Sequence, residues 1–115
     1  MIRDLMRKVL ERAGFTVMLS ANGEEALAAV FAHDGVIHLV IADIVMPRMS
    51  GRELVERLRV LRPEIKALYM SGYAKATIAR HGLTDPGVPL LEKPFTPDTV
   101  LDAVRAVLAT PAPPL

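Results

Sequence analysis

The sequence predicts an α/β fold, a doubly wound parallel sheet covered by helices on both faces, and three observations predict it. Helical and strand patterns alternate strictly along the 115 residues, in the order α-β-α-β-α-β-α-β-α, which is the signature of strands joined by helical crossovers. The run from His38 through Ala42 is apolar after its first residue and stops at a loop marked by Pro47 and Gly51, as expected of a strand buried on both faces. Three predicted strands end on Asp43, Ser71 and Lys93, and in open α/β sheets ligands bind beyond the carboxyl ends of the strands.

Each element has its own justification. From Ile2 to Arg12 the apolar positions Ile2, Leu5, Met6, Val9 and Leu10 recur at helical spacing, with Arg3, Arg7, Lys8, Glu11 and Arg12 on the other side. Gly14 then stands where a helix C-cap is expected, and Phe15–Leu19 reads as a short strand. A second helix runs from Glu24 to about His33, with Asn22 as its N-cap and Glu25 in capping-box register. Ala26, Leu27 and Val30 form its apolar stripe.

After Asp34 and Gly35 comes the strand at 38–42, then a helix from about Arg52 to Leu61 with Leu54, Val55, Leu58 and Leu61 on its apolar face. Pro63 ends that helix. Ile65–Met70 is a strand stopping at Ser71 and Gly72. A weaker helix over Lys75–Arg80 and a loop at Thr84–Gly87 follow, then a strand over Val88–Glu92. The last helix, Asp98 to Leu108, buries Val100, Leu101, Val104, Val107 and Leu108. Residues 1–109 therefore read as one domain and 110–115 as a Pro-rich tail.

Composition removes several classes of function. With no cysteine there is no disulfide framework and no thiolate metal site, and the default compartment is the cytoplasm. A net charge of +1 provides no field for nucleic acid or a membrane surface, and 4% aromatic residues without Trp provide no base-stacking platform. Although 51% of the residues are hydrophobic, no uninterrupted apolar run is long enough to span a bilayer. The first residues alternate charge with apolar side chains, unlike a signal sequence.

Taken singly, the three strand-end residues have ordinary explanations. An Asp after a strand is commonly a loop residue or helix cap, a Ser before Gly is commonly a turn residue, and most Lys side chains are solvated. Their coincidence at three strand ends points elsewhere. A carboxylate, a hydroxyl and an ammonium at one sheet edge suit a nucleophile, a hydrogen-bond donor and a counter-charge for a transferred phosphoryl group. His33, His38 and His81 are scattered without metal-ligand spacing. The methionines Met6, Met18, Met46, Met49 and Met70 read as core or loop packing, and Arg48 and Arg52 as solvated surface.

Ala42-Asp43-Ile44-Val45-Met46-Pro47 with Ser50-Gly51, then Met70-Ser71-Gly72-Tyr73, then Glu92-Lys93-Pro94-Phe95 together resemble the receiver domain of two-component response regulators. The resemblance runs from Ile2 to about Leu108. It is closest to receivers at the C-terminal end of hybrid sensor histidine kinases, on the strength of Asp85-Pro86-Gly87-Val88-Pro89 before the Lys-Pro-Phe block. It implies a flavodoxin-like fold in which Asp43 takes a phosphoryl group from a histidine kinase or a histidine phosphotransfer protein. Ser71 would hydrogen-bond that group as a switch, Lys93 would pair with its charge, and Asp43 with the backbone carbonyl of Val45 would ligate Mg²⁺.

Two positions depart from the family pattern. Leu90 stands where many receivers carry an aromatic that rotates with the switch. The family's first strand, which ends in two acidic Mg²⁺ ligands, has no counterpart here, so the fold is expected to lack its first, central strand and to hold Mg²⁺ weakly. Asp4 lies a turn into the first helix and reads as solvated. The missing strand leaves three expectations: the strands at 15–19 and 38–42 pair directly, another chain fills the gap, or the sequence starts at an internal methionine, the leading one. Two other functions are in play. A degenerate receiver would only bind partner proteins, and a phosphohydrolase of the haloacid dehalogenase type needs a second Asp where Val45 stands.

Overall fold

The computed structural model describes residues 2–44, 48–71, 89–92 and 96–109. The expected helix at Lys75–Arg80, the loop at 84–87, and the tail fall outside them. Helix α1, Ile2–Arg12, buries Met6 and Leu10. Its end is a Schellman closure: Gly14 takes a φ of 97°, where a Cβ is penalised, and the Gly14 and Phe15 N–H groups donate to the carbonyls of Glu11 and Leu10.

Helix α2, Gly23–Ala32, begins at Asn22 as expected, whose Oδ1 accepts from the Glu25 N–H at 2.8 Å. The Glu25 carboxylate reaches back one residue further than a standard capping box, accepting from the Ala21 N–H at 3.2 Å. The other end of α2 is held by Arg62. Its guanidinium donates to the carbonyls of Val30 at 3.2 Å, Gly35 at 2.8 Å, and His33.

Among the described residues three strands form one parallel sheet in the order β1-β2-β3: β1 is Leu39–Asp43, β2 is Lys66–Ser71 and β3 is Leu90–Glu92. Helix α3, Gly51–Leu61, connects β1 to β2, and α4, Pro97–Leu108, follows β3. The Thr96 and Thr99 side chains form a reciprocal capping box at the start of α4. At its other end the Lys66 ammonium donates to the Leu108 carbonyl at 2.7 Å. The cation thus completes the negative end of the helix.

Side-chain alternation divides the core in two. Val40, Ala42 and Ile44 of β1 and its following residue, with Ala67 and Tyr69 of β2, pack with Val30 of α2 and with Leu54, Val55 and Leu58 of α3. Leu39, Ile41, Leu68 and Met70 face the opposite side, against Met6 and Leu10 of α1 and Val100, Val104 and Val107 of α4. Leu61 was expected on the apolar face of its helix and is instead 42% exposed. It lies in the last turn of α3, past the end of the covered stripe.

The strand expected at Phe15–Leu19 does not form. Residues 15–20 carry no strand pairing, although Phe15 and Val17 pack at the margin of the α1/α4 core. A strand is defined by a hydrogen-bonded neighbour, and local β propensity does not supply one. Direct pairing of 15–19 with β1 is therefore not observed. The Lys66 N–H donates to the His38 carbonyl and the Ile44 N–H to the Met70 carbonyl. Even-numbered residues along β1 therefore bond to β2, and Leu39, Ile41 and Asp43 turn their backbone groups to the other edge. Among the described residues no strand lies there, as expected for a sheet lacking its central strand.

Candidate functional site

Asp43 closes β1, half-buried, in register with Met70 of β2. The chain leaves the sheet at once. The Gly51 N–H donates to the Ile44 carbonyl at 3.0 Å, so the first residue of α3 returns onto the strand end that the loop has just left. A Cβ on Gly51 would lie 2.3 Å from the Asp43 carbonyl oxygen and 3.1 Å from its carbonyl carbon. Only glycine allows that approach. Ser50 caps α3, its Oγ accepting from the Glu53 N–H at 3.1 Å.

The described part of the loop is held from the side. Met49 is buried against Gly23, the first residue of α2, and Arg48 adopts a left-handed φ of 68° with its guanidinium 3.7 Å from the Glu24 carboxylate. Of the residues expected at the site, Val45, together with Met46 and Pro47, lies outside the described residues. So does Tyr73.

Ser71 ends β2 one residue past the partner of Asp43, at 2% exposure. Adjacent strands lie about 4.8 Å apart, so both residues occupy the same edge of the sheet. Pleat alternation assigns Ser71 to the side of Ala67 and Tyr69, and Asp43 to the side of Leu39 and Ile41. Lys93 follows Glu92, the exposed last residue of β3, and lies outside the described residues. Leu90, at the position of the expected aromatic, pairs with Tyr69 and packs against the α2/α3 core. Among the described residues no group of three or more His, Cys, Asp or Glu side chains is placed to hold a metal ion.

Sequence reasoning missed the close-approach roles of Gly23 and Gly51 and the anchoring role of Arg62. A signal for the glycines was available, because both occupy the first position of a helix, whereas glycine is enriched just past helix ends. Arg62 gave none, since its acceptors lie 27 to 32 residues away in sequence.

A parallel sheet with helices on both faces, tipped by an Asp and a neighbouring Ser, is the build of a CheY-like signalling domain. The family described as "Response regulator receiver domain" matches residues 1–105. The chain belongs to this family, the receiver class of two-component signalling, and not to the haloacid dehalogenase type of phosphohydrolase. Sensor kinase CckA of Brucella abortus is 36% identical over 101 residues, covering 88% of this chain and 11% of that protein. Sporulation initiation phosphotransferase F of Bacillus subtilis is 29% identical over 107 residues, covering 93% of this chain and 85% of the other.

Among solved structures, the chemotaxis protein CheY4 of Vibrio cholerae superposes with a TM-score of 0.80 at 29% identity, covering 92% of this chain and 88% of that one. The receiver domain of NtrX from Brucella abortus also gives 0.80, at 26% identity, over 95% of this chain and 91% of that one. The chain spans 11%, 22% and 44% of the first curated relatives it matches. Among the described residues no helix is long and apolar enough to cross a membrane.

Proposed function

We propose that Asp43 is the phosphoacceptor of this receiver, taking a phosphoryl group from a phosphohistidine on a histidine kinase or phosphotransfer protein. The observation that carries the reading is Asp43 at the carboxyl end of β1 with Ser71 one residue beyond its partner on the adjacent strand. A carboxylate oxygen attacks phosphorus, the P–N bond breaks, and the imidazole leaves with the bonding electron pair and takes up a proton. The product is an aspartyl phosphate carrying about one more negative charge than the carboxylate.

Ser71 donates its hydroxyl to a phosphoryl oxygen, and Lys93 supplies the opposing charge. Ser71 is 2% exposed and on the pleat face opposite Asp43, and in this reading a movement at the end of β2 brings it to that oxygen. Such a movement is the two-state element that converts phosphorylation into altered protein contacts. Bound Mg²⁺ would offset charge on the transferred group, with Asp43 and the Val45 carbonyl as ligands from this chain and phosphate oxygens and water making up the set. In this reading the chemistry is self-phosphorylation, followed by hydrolysis in which water takes the phosphoryl group as inorganic phosphate and the Asp43 carboxylate is regenerated.

Incubation with acetyl phosphate and Mg²⁺, followed by intact-mass measurement, tests the reading. The expected result is a gain of one phosphoryl group that Asp43→Ala abolishes. A second reading is a receiver that binds partners without being phosphorylated. No mass gain in the wild-type chain at saturating Mg²⁺ would select it.

A further inference from the structure

Among the described residues, the loop before α3 touches α2 through Met49 and Arg48, and both contacts are unusual. A Cβ at Gly23 would stand 2.7 Å from the Met49 Sδ, 3.2 Å from its Cβ and 3.3 Å from its Cγ. The sulfur sits on a flexible arm, but the Cβ and Cγ adjoin the backbone, and Met49 is only 6% exposed. Little room is left for the side chain to retreat, so added bulk at residue 23 is transmitted to the loop. One residue earlier, Arg48 holds a φ of 68°, a conformation L residues rarely adopt, and its side chain pairs with Glu24. Strained backbone of this kind persists where its surroundings hold it in place.

Met49 is followed by Ser50, the cap of α3, and by Gly51, whose Cα packs on the Asp43 carbonyl. The path from α2 to the acceptor is therefore Gly23, Met49, Gly51, Asp43. We infer that the first turn of α2 positions the loop after Asp43 for phosphoryl transfer, with Gly23 and Met49 as positioning residues. The inference rests on the proposed role of Asp43. It also explains why α2 opens on glycine, since alanine at that position would serve the helix at least as well.

The test is a cycle of Gly23→Ala, Met49→Ala and the double variant in the full chain. Three quantities are read: the saturating rate and half-saturating concentration for acetyl phosphate with Mg²⁺, the hydrogen exchange of the Gly51 amide, and that of the Leu68 amide in β2. A shift of a few tenths of an ångström at the acceptor predicts about a tenfold slower saturating rate in Gly23→Ala with half-saturation unchanged. The Gly51 amide, bonded to Ile44, should exchange faster while Leu68 does not.

Shortening Met49 removes the Sδ and Cγ that the new Cβ meets and leaves only the 3.2 Å approach to the Met49 Cβ, so the double variant should lose far less relative to Met49→Ala than Gly23→Ala loses relative to wild type. Full rate with unchanged Gly51 exchange in Gly23→Ala would overturn the inference. So would strictly multiplicative effects, or equal loss of protection at Leu68, which would mark plain destabilisation. If the wild-type chain takes no phosphoryl group, the proposed function fails, and unchanged Gly51 exchange in Gly23→Ala would still refute the positioning contact.

Discussion

Replacing Gly51 by alanine should damage the acceptor site more than the fold. Its Cβ would fall 2.3 Å from the Asp43 carbonyl oxygen, about 1.1 Å inside the 3.4 Å at which ordinary contact begins. Both groups belong to backbone, so no rotamer change relieves the clash. Either the end of β1 or the first turn of α3 must shift by about an ångström, stretching the bond from the Gly51 N–H to the Ile44 carbonyl. Overpacking of this kind costs about 1–3 kcal/mol. Reduced freedom of the unfolded chain returns about 0.4–1 kcal/mol, because Gly51 does not use the left-handed region. The net loss should be about 1–2 kcal/mol, read by urea unfolding. An ångström of misplacement at a reacting group costs about a hundredfold in rate, so phosphorylation by acetyl phosphate should slow by about that factor. A Gly51→Ala variant with wild-type stability and rate would refute the close-approach reasoning.

Arg62→Ala should cost about 2 kcal/mol, because one guanidinium bonds three carbonyls around the end of α2, hydrogen bonds to charged groups contribute about 1.5–3 kcal/mol net, and these acceptors are exposed or part-buried so that water solvates them once freed. Arg62→Lys should recover little, since an ammonium does not span the fork; a urea midpoint equal to wild type in either variant would contradict this. Lys66→Ala should cost about 1 kcal/mol by removing the cation from the carbonyl end of α4. Faster amide exchange confined to the last turn of α4 would accompany it, and unchanged exchange there would count against the cap.

What was legible in the sequence was local. The helix stop at Gly14, the cap at Asn22, and the buried stripe of Leu54, Val55 and Leu58 rest on spacing within a turn or two, and the structure has all of them. What failed depended on distant partners. Phe15–Leu19 has strand-forming residues, yet no strand forms there, and among the described residues no strand lies beside it. Leu5 matches the apolar period of α1 but is 52% exposed, because the period gives a direction and not the width of the surface that covers it. At the candidate site the sequence located Asp43 and Ser71 at the sheet edge, since strand ends can be read from apolar runs. The glycines that let helices approach that edge stood out only by their place at the first position of a helix, and the atoms they avoid, on Asp43 and Met49, could not be read from the sequence.

The two half-cores meet through β2. It is the one described strand with fully buried apolar side chains on both faces, Ala67 and Tyr69 toward one pair of helices and Leu68 and Met70 toward the other. Since Ser71 is the last residue of this strand, a pull on its hydroxyl acts on a beam anchored in both helical layers. A displacement of β2 cannot be absorbed on one side alone. On the proposed role of Ser71, a signal entering at the tip of the strand would reach both helical layers at once.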